Sequence, residues 1–387
     1  MSKYKISVVT GTRAEYGLLR NIISLLSKDE SVDFRLIVTG THLCKDYGET
    51  VNEILSDGFN VSAKIPCVQD RNDDVGMVMS AAEAMKGFAA YFEKDRPDML
   101  ILLGDRYEIF ACAAAAAMLR IPIAHLYGGD TTEGAIDEFF RHSITKMSYL
   151  HFVSNEDSRR RVIQLGEEPA RVYNLGATGA ENIVGMDLLD RDAISRAIGV
   201  DLSGEYALVT YHPVTLEDDS PDAQMRELFS AMEQFPELTY IFTKSNADAN
   251  GKKINLIIDE YARNHSNVFA FESLGIIKYL SAMKYARFVI GNSSSGIYEA
   301  PLFGIPTVNI GDRQRGRLQA NTIINSGPEA ASIRRAISEA LKASRKENIS
   351  SPYYKEGTSS KIVETIKNNL EEGSVNLKKR FFNIYDK

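Results

Sequence analysis

The sequence is short of cysteine, of positive charge and of long apolar runs, and each shortage closes off a class of protein. Its three cysteines, Cys44, Cys67 and Cys112, are odd in number and widely spaced, with no Cys-x-x-Cys pair. That points to reduced thiols and away from a disulfide framework or a zinc site. Lys and Arg total 45 against 52 Asp and Glu, a formal net charge of −7. This balance argues against nucleic acid or an anionic membrane as the main partner. The longest run of small apolar residues, Ile109 to Leu119, is too short to span a bilayer. Met1-Ser2-Lys3 passes straight into a strand pattern, so no signal peptide is expected and the expected location is the cytoplasm. There is no low-complexity linker and no short-period repeat.

What remains is an ordinary globular composition, 44% hydrophobic and 25% charged, in 387 residues. A single core of that size would be unusually large, so two domains are expected. Strand-like runs occur at 5–10, 34–39, 99–103, 121–126, 151–153 and 171–174, each followed by a turn signal and a helix-like stretch. Pro122 is expected to begin its strand, where a missing donor is tolerated. The pattern restarts with runs at 206–211, 239–242, 268–271, 288–290 and 307–310. Such alternation implies parallel sheets covered by helices on both faces. The expected fold class is α/β, two Rossmann-like domains facing a central cleft. The expected boundaries are 1–177 for the first domain, 178–360 for the second, and 361–387 for a helix and tail that return to the first.

Parallel sheets bind ligands at the carboxyl ends of their strands. Here nearly every strand candidate ends in Gly followed by a polar or charged residue: Gly11-Thr12-Arg13, Gly40-Thr41-His42, Gly104-Asp105-Arg106, Gly128-Gly129-Asp130, Gly291-Asn292-Ser293 and Gly311-Asp312-Arg313. His212-Pro213 and Lys244-Ser245-Asn246 stand at two more strand ends. This density is stronger evidence for a cleft enzyme than any one motif.

The run Gly291-Asn292-Ser293-Ser294-Ser295-Gly296 follows the apolar Phe288-Val289-Ile290 and precedes a helix expected over 296–303. Strand, small-residue turn and helix start together offer free N–H groups and the positive end of a helix dipole to a phosphate. Glu299, about a turn later, can take the two hydroxyls of a ribose. The bland alternative is a plain helix cap. Gly11 through Gly17 follows the first strand; it lacks the Lys of a Walker loop and the glycine spacing of a dinucleotide fingerprint. Arg13 there is either a diphosphate ligand or a surface side chain.

Asp105 and Arg106 close a strand apolar enough to be buried on both faces. They are an ion pair, a catalytic acid/base beside an anion clamp, or, for Asp105, merely a helix cap. The densest polar run follows: His125, Asp130, Glu133, then Asp137, Glu138, Arg141 and His142. If Asp137 begins a helix, Asp137 and Arg141 lie one turn apart, as do Glu138 and His142. Without a His-x₃-His or a cysteine partner, acid/base work is favoured over a metal site, and a helix laced with ion pairs is the alternative. His212 is either structural or a phosphate or sugar contact, and the arginines of Arg313-Gln314-Arg315-Gly316-Arg317 either neutralise an anion or form a solvated loop.

Taken together, Gly11-Thr12-Arg13-Ala14-Glu15-Tyr16, Gly104-Asp105-Arg106, the stretch from Asp137 to Lys146, His212-Pro213-Val214-Thr215, Gly291-Asn292-Ser293-Ser294 and Gly311-Asp312-Arg313-Gln314 resemble the hydrolysing UDP-N-acetylglucosamine 2-epimerases, over nearly the whole chain. The resemblance implies a glycosyltransferase-B type fold with UDP held mainly by the second domain. It implies that Arg13, Gly17, Arg106, His212, Asn246, Gly291, Asn292, Ser293, Ser294, Glu299 and Arg313 surround UDP and sugar. It implies that Asp105, Asp137 and His125, with Asp130, Glu133, Arg141 and His142, surround the reacting carbons. The sequence departs from several members at Tyr127, where they carry a glutamate; Asp130 and Glu133 are the nearest acids. A sister branch acting on UDP-2,4-diacetamido-2,4,6-trideoxyglucose shares these motifs.

The reaction so implied removes the sugar C2 proton as UDP leaves C1, then adds water across the double bond of 2-acetamidoglucal. The product is N-acetylmannosamine, a sialic acid precursor. Attack on two faces needs two acid/base groups. No hydride or phosphoryl group is transferred, so no cofactor and no metal is expected. The expected partners are a UDP-sugar and further copies of the chain in a dimer or tetramer. A glycosyltransferase of the same fold, or a nucleotide-sugar binding protein without chemistry, are the rival classes.

Overall fold

The computed structural model describes residues 3–71, 73–132, 135–212, 221–244, 251–345, 349 and 351–385. Two compact units divide the chain: residues 1–182 with 355–387, and residues 183–354.

The first unit is built on β1 (Tyr4–Thr10), β2 (Val32–Thr39), β3 (Ala63–Ile65), β4 (Met99–Leu103), β5 (Ile123–Leu126), β6 (Leu150–Val153) and β7 (Val172–Asn174). They form one parallel sheet in the order β3-β2-β1-β4-β5-β6-β7. The continuous apolar runs are explained by burial on both faces: Met99, Ile101 and Leu103 of β4 enter one core with Ile6 and Val8, while Leu100 and Leu102 enter the other with Val9. The C-terminal helix Thr358–Glu371 completes the first of these cores. Its Ile362, Val363, Ile366 and Leu370 recur at helical spacing and are buried beside Leu19, Ile22 and Leu26 of the helix Arg13–Lys28. Each such side chain contributes roughly 1.5–3 kcal/mol relative to exposure.

The second unit repeats the plan with β8 (Tyr206–Thr210), β9 (Thr239–Thr243), β10 (Val268–Phe271), β11 (Phe288–Gly291), β12 (Thr307–Ile310) and β13 (Ile323–Ser326). The order is β10-β9-β8-β11-β12-β13, again all parallel. Its two cores take Ala207, Val209, Phe288 and Ile290 on one face, and Tyr206, Leu208 and Val289 on the other.

Several boundaries differ from the sequence expectation. The strand expected from 121 begins at Ile123, so Pro122 precedes it; the Pro122 carbonyl still accepts from Leu100 N at 2.9 Å, a bond that needs no proline donor. Arg171 belongs to a 3-10 turn over Pro169–Arg171. The helix expected over 296–303 is four residues, Ser295–Tyr298, followed by a 3-10 turn Ala300–Phe303. Pro301 explains the break, because it has no N–H and its ring crowds the preceding turn. The first unit runs to Asn182 instead of 177, because Asn182 bonds Gly17 O and Asn21, both at 2.7 Å. It resumes at Lys355 instead of 361, because Lys355 Nζ reaches Asn174 O at 2.6 Å and Thr358 Oγ1 reaches Leu175 O at 2.8 Å.

Candidate active site

In each unit the strand order reverses beside the first strand, between β1 and β4 and between β8 and β11. At such a switch point the flanking crossovers leave on opposite faces, and a crevice opens past the strand ends. The residues there are Gly11-Thr12-Arg13 and Gly104-Asp105-Arg106 in the first unit. In the second they are Tyr211-His212 and Asn292-Ser293-Ser294.

The first switch point is packed around carboxyl groups. Thr12 caps the helix Arg13–Lys28 by accepting from Glu15 N at 3.2 Å, and Glu15 Oε2 accepts from Gly11 N at 2.7 Å. Burial first, and Glu108 second, lift the Glu15 carboxyl to about 8. Glu108 is fully buried and accepts from Arg106 Nε at 2.7 Å. A Cβ placed on Gly11 would lie 2.8 Å from Glu108 Oε1, and one on Gly40 (φ +58°) 2.6 Å from Gly11 O, so both positions need glycine. Arg13 is exposed and pairs with Glu53 at 3.0 Å. Gly17 is exposed on its helix and a Cβ there would meet nothing.

Beyond β4, Asp105 does not cap the following helix, whose N-cap is Arg106. Its carboxylate instead accepts from Arg141 on the helix Asp137–Met147, with Nε at 2.7 Å and Nη2 on the same oxygen. Arg141 also bonds Glu138 Oε2 at 3.0 Å, Asp130 O at 2.8 Å and Thr132 Oγ1 at 3.1 Å. Glu138 Oε1 lies 3.1 Å from His142 Nε2. The expected Glu138–His142 pair is therefore present. The expected Asp137–Arg141 pair is not: Arg141 turns to Asp105 and Glu138, and Asp137 is half-buried with no partner among the described residues.

His125 is fully buried in β5, with Nε2 2.8 Å from Gly104 O and Nδ1 3.3 Å from Thr145 Oγ1. Burial lowers it to about 3, so it is neutral and both nitrogens are engaged. Asp130 accepts from Ser154 Oγ at 3.1 Å, from Asn155 Nδ2 at 3.4 Å and from Ser158 Oγ, and burial raises its carboxyl. Tyr127, at φ +65°, directs its hydroxyl to Thr178 Oγ1 at 3.2 Å and Gly179 N at 3.1 Å. Its hydroxyl thus holds the start of the helix Thr178–Val184. Glu133 lies outside the described residues.

In the second unit Asn292, fully buried, is the hub. Its side chain accepts from His212 N at 2.7 Å and donates to His212 O at 2.8 Å, tying the ends of β8 and β11 together. Its carbonyl accepts from Arg313 Nη1 at 3.1 Å and Gln314 Nε2 at 2.8 Å. Gly291 sits at φ +139°, and a Cβ there would fall 2.0 Å from Thr210 O. Ser293 Oγ accepts from Ser295 Oγ at 3.2 Å, and Tyr279 lies 2.6 Å from the same Ser295 hydroxyl. Ser294 has no side-chain partner among the described residues. Nor does Glu299, whose carboxyl burial raises to about 7. Because the helix after Ser294 is so short, N–H groups and hydroxyls, more than a helix dipole, are what this loop offers an anion. Asn246 lies outside the described residues.

Glu15, Glu108 and Gln314 carried no role in the sequence reading. A signal was there for two of them: a carboxylate four residues after Gly11, and another four after Gly104, each near a strand end too apolar to leave it in water.

A family model described as UDP-N-acetylglucosamine 2-epimerase matches residues 24–367. The chain belongs to that family. The GDP/UDP-N,N'-diacetylbacillosamine 2-epimerase (hydrolyzing) of Campylobacter jejuni is 43% identical over 327 residues, 84% of this chain and 85% of that protein. Polysialic acid biosynthesis protein P7 of Escherichia coli is 37% identical over 94% of this chain and 93% of its own length. The crystal structure of UDP-GlcNAc 2-epimerase from Neisseria meningitidis bound to UDP-GlcNAc superposes with a TM-score of 0.75 at 19% identity, covering 94% of this chain and all of that one. The chain is thus an enzyme of the hydrolysing UDP-sugar 2-epimerase type, with the α/β fold of glycosyltransferase-B proteins.

Proposed function

We propose that the chain converts a UDP-linked 2-acetamido sugar and water to UDP and the free 2-epimeric sugar. The observation that carries this reading is the chain Asp105–Arg141–Glu138–His142, joined by hydrogen bonds at the end of β4 in a protein of this family. It places the carboxylate of Asp105 in a fixed position at a strand end, the kind of group that takes or gives a proton at carbon.

Asp105 and Asp137 serve as the acid/base pair. One takes the C2 proton while the C1–O bond breaks and its electron pair leaves with UDP. The glucal then gains a proton at C2 from the opposite face and hydroxide at C1. His125, neutral and doubly bonded, holds the Gly104 turn and the helix at Thr145 instead of moving protons. Asp130, its carboxyl enclosed by three donors, holds Arg141 through its backbone carbonyl. In the second unit Ser293, Ser294, His212 and Arg313 take the UDP phosphates and Glu299 the ribose. Charge-assisted bonds to the departing diphosphate lower the barrier to elimination.

Two sugars fit this chemistry. Identity to the protein named for diacetylbacillosamine supports a sugar with a second acetamido group at C4 and a methyl at C5. Identity to the one named for polysialic acid biosynthesis supports UDP-N-acetylglucosamine and the route to N-acetylmannosamine. Turnover of each UDP-sugar alone, with products identified by NMR, separates them. Free UDP with a 2-epimerised sugar is expected from at least one. Release of UDP only in the presence of an acceptor would replace the reading with a glycosyl transfer.

A further inference from the structure

Two carboxyl groups lie against the same glycine at the end of β1, and neither has a full set of partners. Glu15 Oε2 accepts from Gly11 N at 2.7 Å, and Glu108 Oε1 would lie 2.8 Å from a Cβ on Gly11. Glu15 Oε1 and Glu108 Oε2 are buried with no hydrogen-bond partner among the described residues. Such orphaned oxygens are rare in folded proteins and mark places where charge is being managed. One cation serves both: Arg106, which gives its Nε to Glu108 at 2.7 Å while its side chain stays 41% exposed.

With both carboxyls ionised, the trio carries one uncompensated negative charge in a buried setting. With one proton between them it is neutral. Resting on the UDP-sugar reading above, we propose that Glu108 is a positioning residue that fixes the partly exposed Arg106 guanidinium at the end of β4 to receive an anionic ligand group, and that Glu15 carries the proton that leaves Glu108 free to do so. Loss of that proton adds a second carboxylate beside Arg106, which draws the guanidinium inward and repels an anionic ligand group.

The surroundings make Glu15 the group to watch. Facing the pair are Tyr107 on the helix of Glu108, His42 and Cys44 on the turns after β2, and Cys67 after β3. Burial takes His42 down to about 4, Tyr107 up to about 12 and both thiols upward. Glu15, at about 8, is the one of these that titrates just above neutral pH.

The experiment is UDP binding by calorimetry across a pH series, for the natural chain, Glu15→Gln and Glu108→Gln. In the natural chain, affinity should fall as the pH rises through about 8. Glu15→Gln keeps an acceptor for Gly11 N and holds its protons permanently, so the alkaline fall should vanish. The ligand's own titration is common to both proteins and cancels. Glu108→Gln should weaken UDP binding about tenfold at neutral pH, the loss of a charge-assisted bond to the arginine. A flat profile in the natural chain, an alkaline fall that survives in Glu15→Gln, or full affinity in Glu108→Gln would each overturn the proposal while leaving the UDP-sugar reading standing. No UDP binding by the natural chain at any pH would overturn both.

Discussion

Arg141 reaches across from the helix Asp137–Met147 to hold Asp105, at the end of β4, through Nε at 2.7 Å and through Nη2. The side chain of Arg141 is only 6% exposed, while its partners Asp105 and Glu138 keep 24% and 23% of their side-chain exposure, so the network is partly buried. A fork-shaped donor set of this kind has no lysine equivalent. Arg141→Lys keeps the charge and should still lower stability by about 0.5–1.5 kcal/mol, the usual net loss when a hydrogen bond between partly buried groups is given up. Urea denaturation reads it directly. A midpoint equal to that of the natural chain would show that the network contributes nothing to the fold.

Asp137 stands apart from that network, half-buried and without a partner among the described residues. Asp137→Asn should therefore leave the fold and UDP affinity nearly unchanged while turnover drops by about 10²–10⁴-fold, the usual contribution of a general acid or base. Asp105→Asn should lose turnover to a similar degree and lose stability as well, because a neutral amide oxygen gives up the charge that pairs with Arg141. Near-normal kcat for either variant removes that residue from the mechanism.

Gly291 should tolerate no side chain. Its φ of +139° suits glycine alone, and a methyl group would sit 2.0 Å from Thr210 O across the β8–β11 pairing. Gly291→Ala should either fail to fold or lose UDP binding by moving Asn292 off His212. Soluble variant protein with unchanged UDP affinity would separate this turn from the site.

Acid stability should hinge on Glu167, buried between His151 at 3.1 Å, Lys146 at 2.6 Å and Lys379 at 2.9 Å. Burial alone would raise its carboxyl, but these bonds outweigh burial and hold it at about 2. A carboxyl lowered on folding stabilises above its unfolded value, 4.5, and that contribution is lost as the pH falls through about 2. Stability of the natural chain should fall across this window with about one more proton taken up on unfolding than Glu167→Gln shows. Identical acid limbs would contradict it. Glu15, raised on folding, acts in the opposite sense: its contribution is present below 4.5 and is lost as the pH rises through about 8.

The strands that carry the switch points were legible because burial on both faces writes them as unbroken apolar runs: Met99–Leu103 matches β4 residue for residue, and the run 288–290 falls one residue short of β11. β3 and β13 were not, since each is a short, half-exposed edge strand with too few core positions to show a pattern. The polar residues past the strand ends were legible as a set, because topology delivers them to one end of each sheet. Their pairings were not. Helical spacing assigned Arg141 to Asp137, whereas the partner is Asp105, 36 residues away on the neighbouring strand end. Glu15 and Glu108 meet only because β1 and β4 are neighbours and Gly11 leaves room between them, a relation no local pattern encodes.

The central claim is that carbon–hydrogen and carbon–oxygen bonds break at adjacent sugar carbons while UDP departs. Turnover in D₂O tests it most directly, with the free sugar analysed by NMR. Deuterium at C2 of the epimerised product, with UDP released and no acceptor present, is the predicted result. Retention of the original hydrogen at C2 would contradict the account.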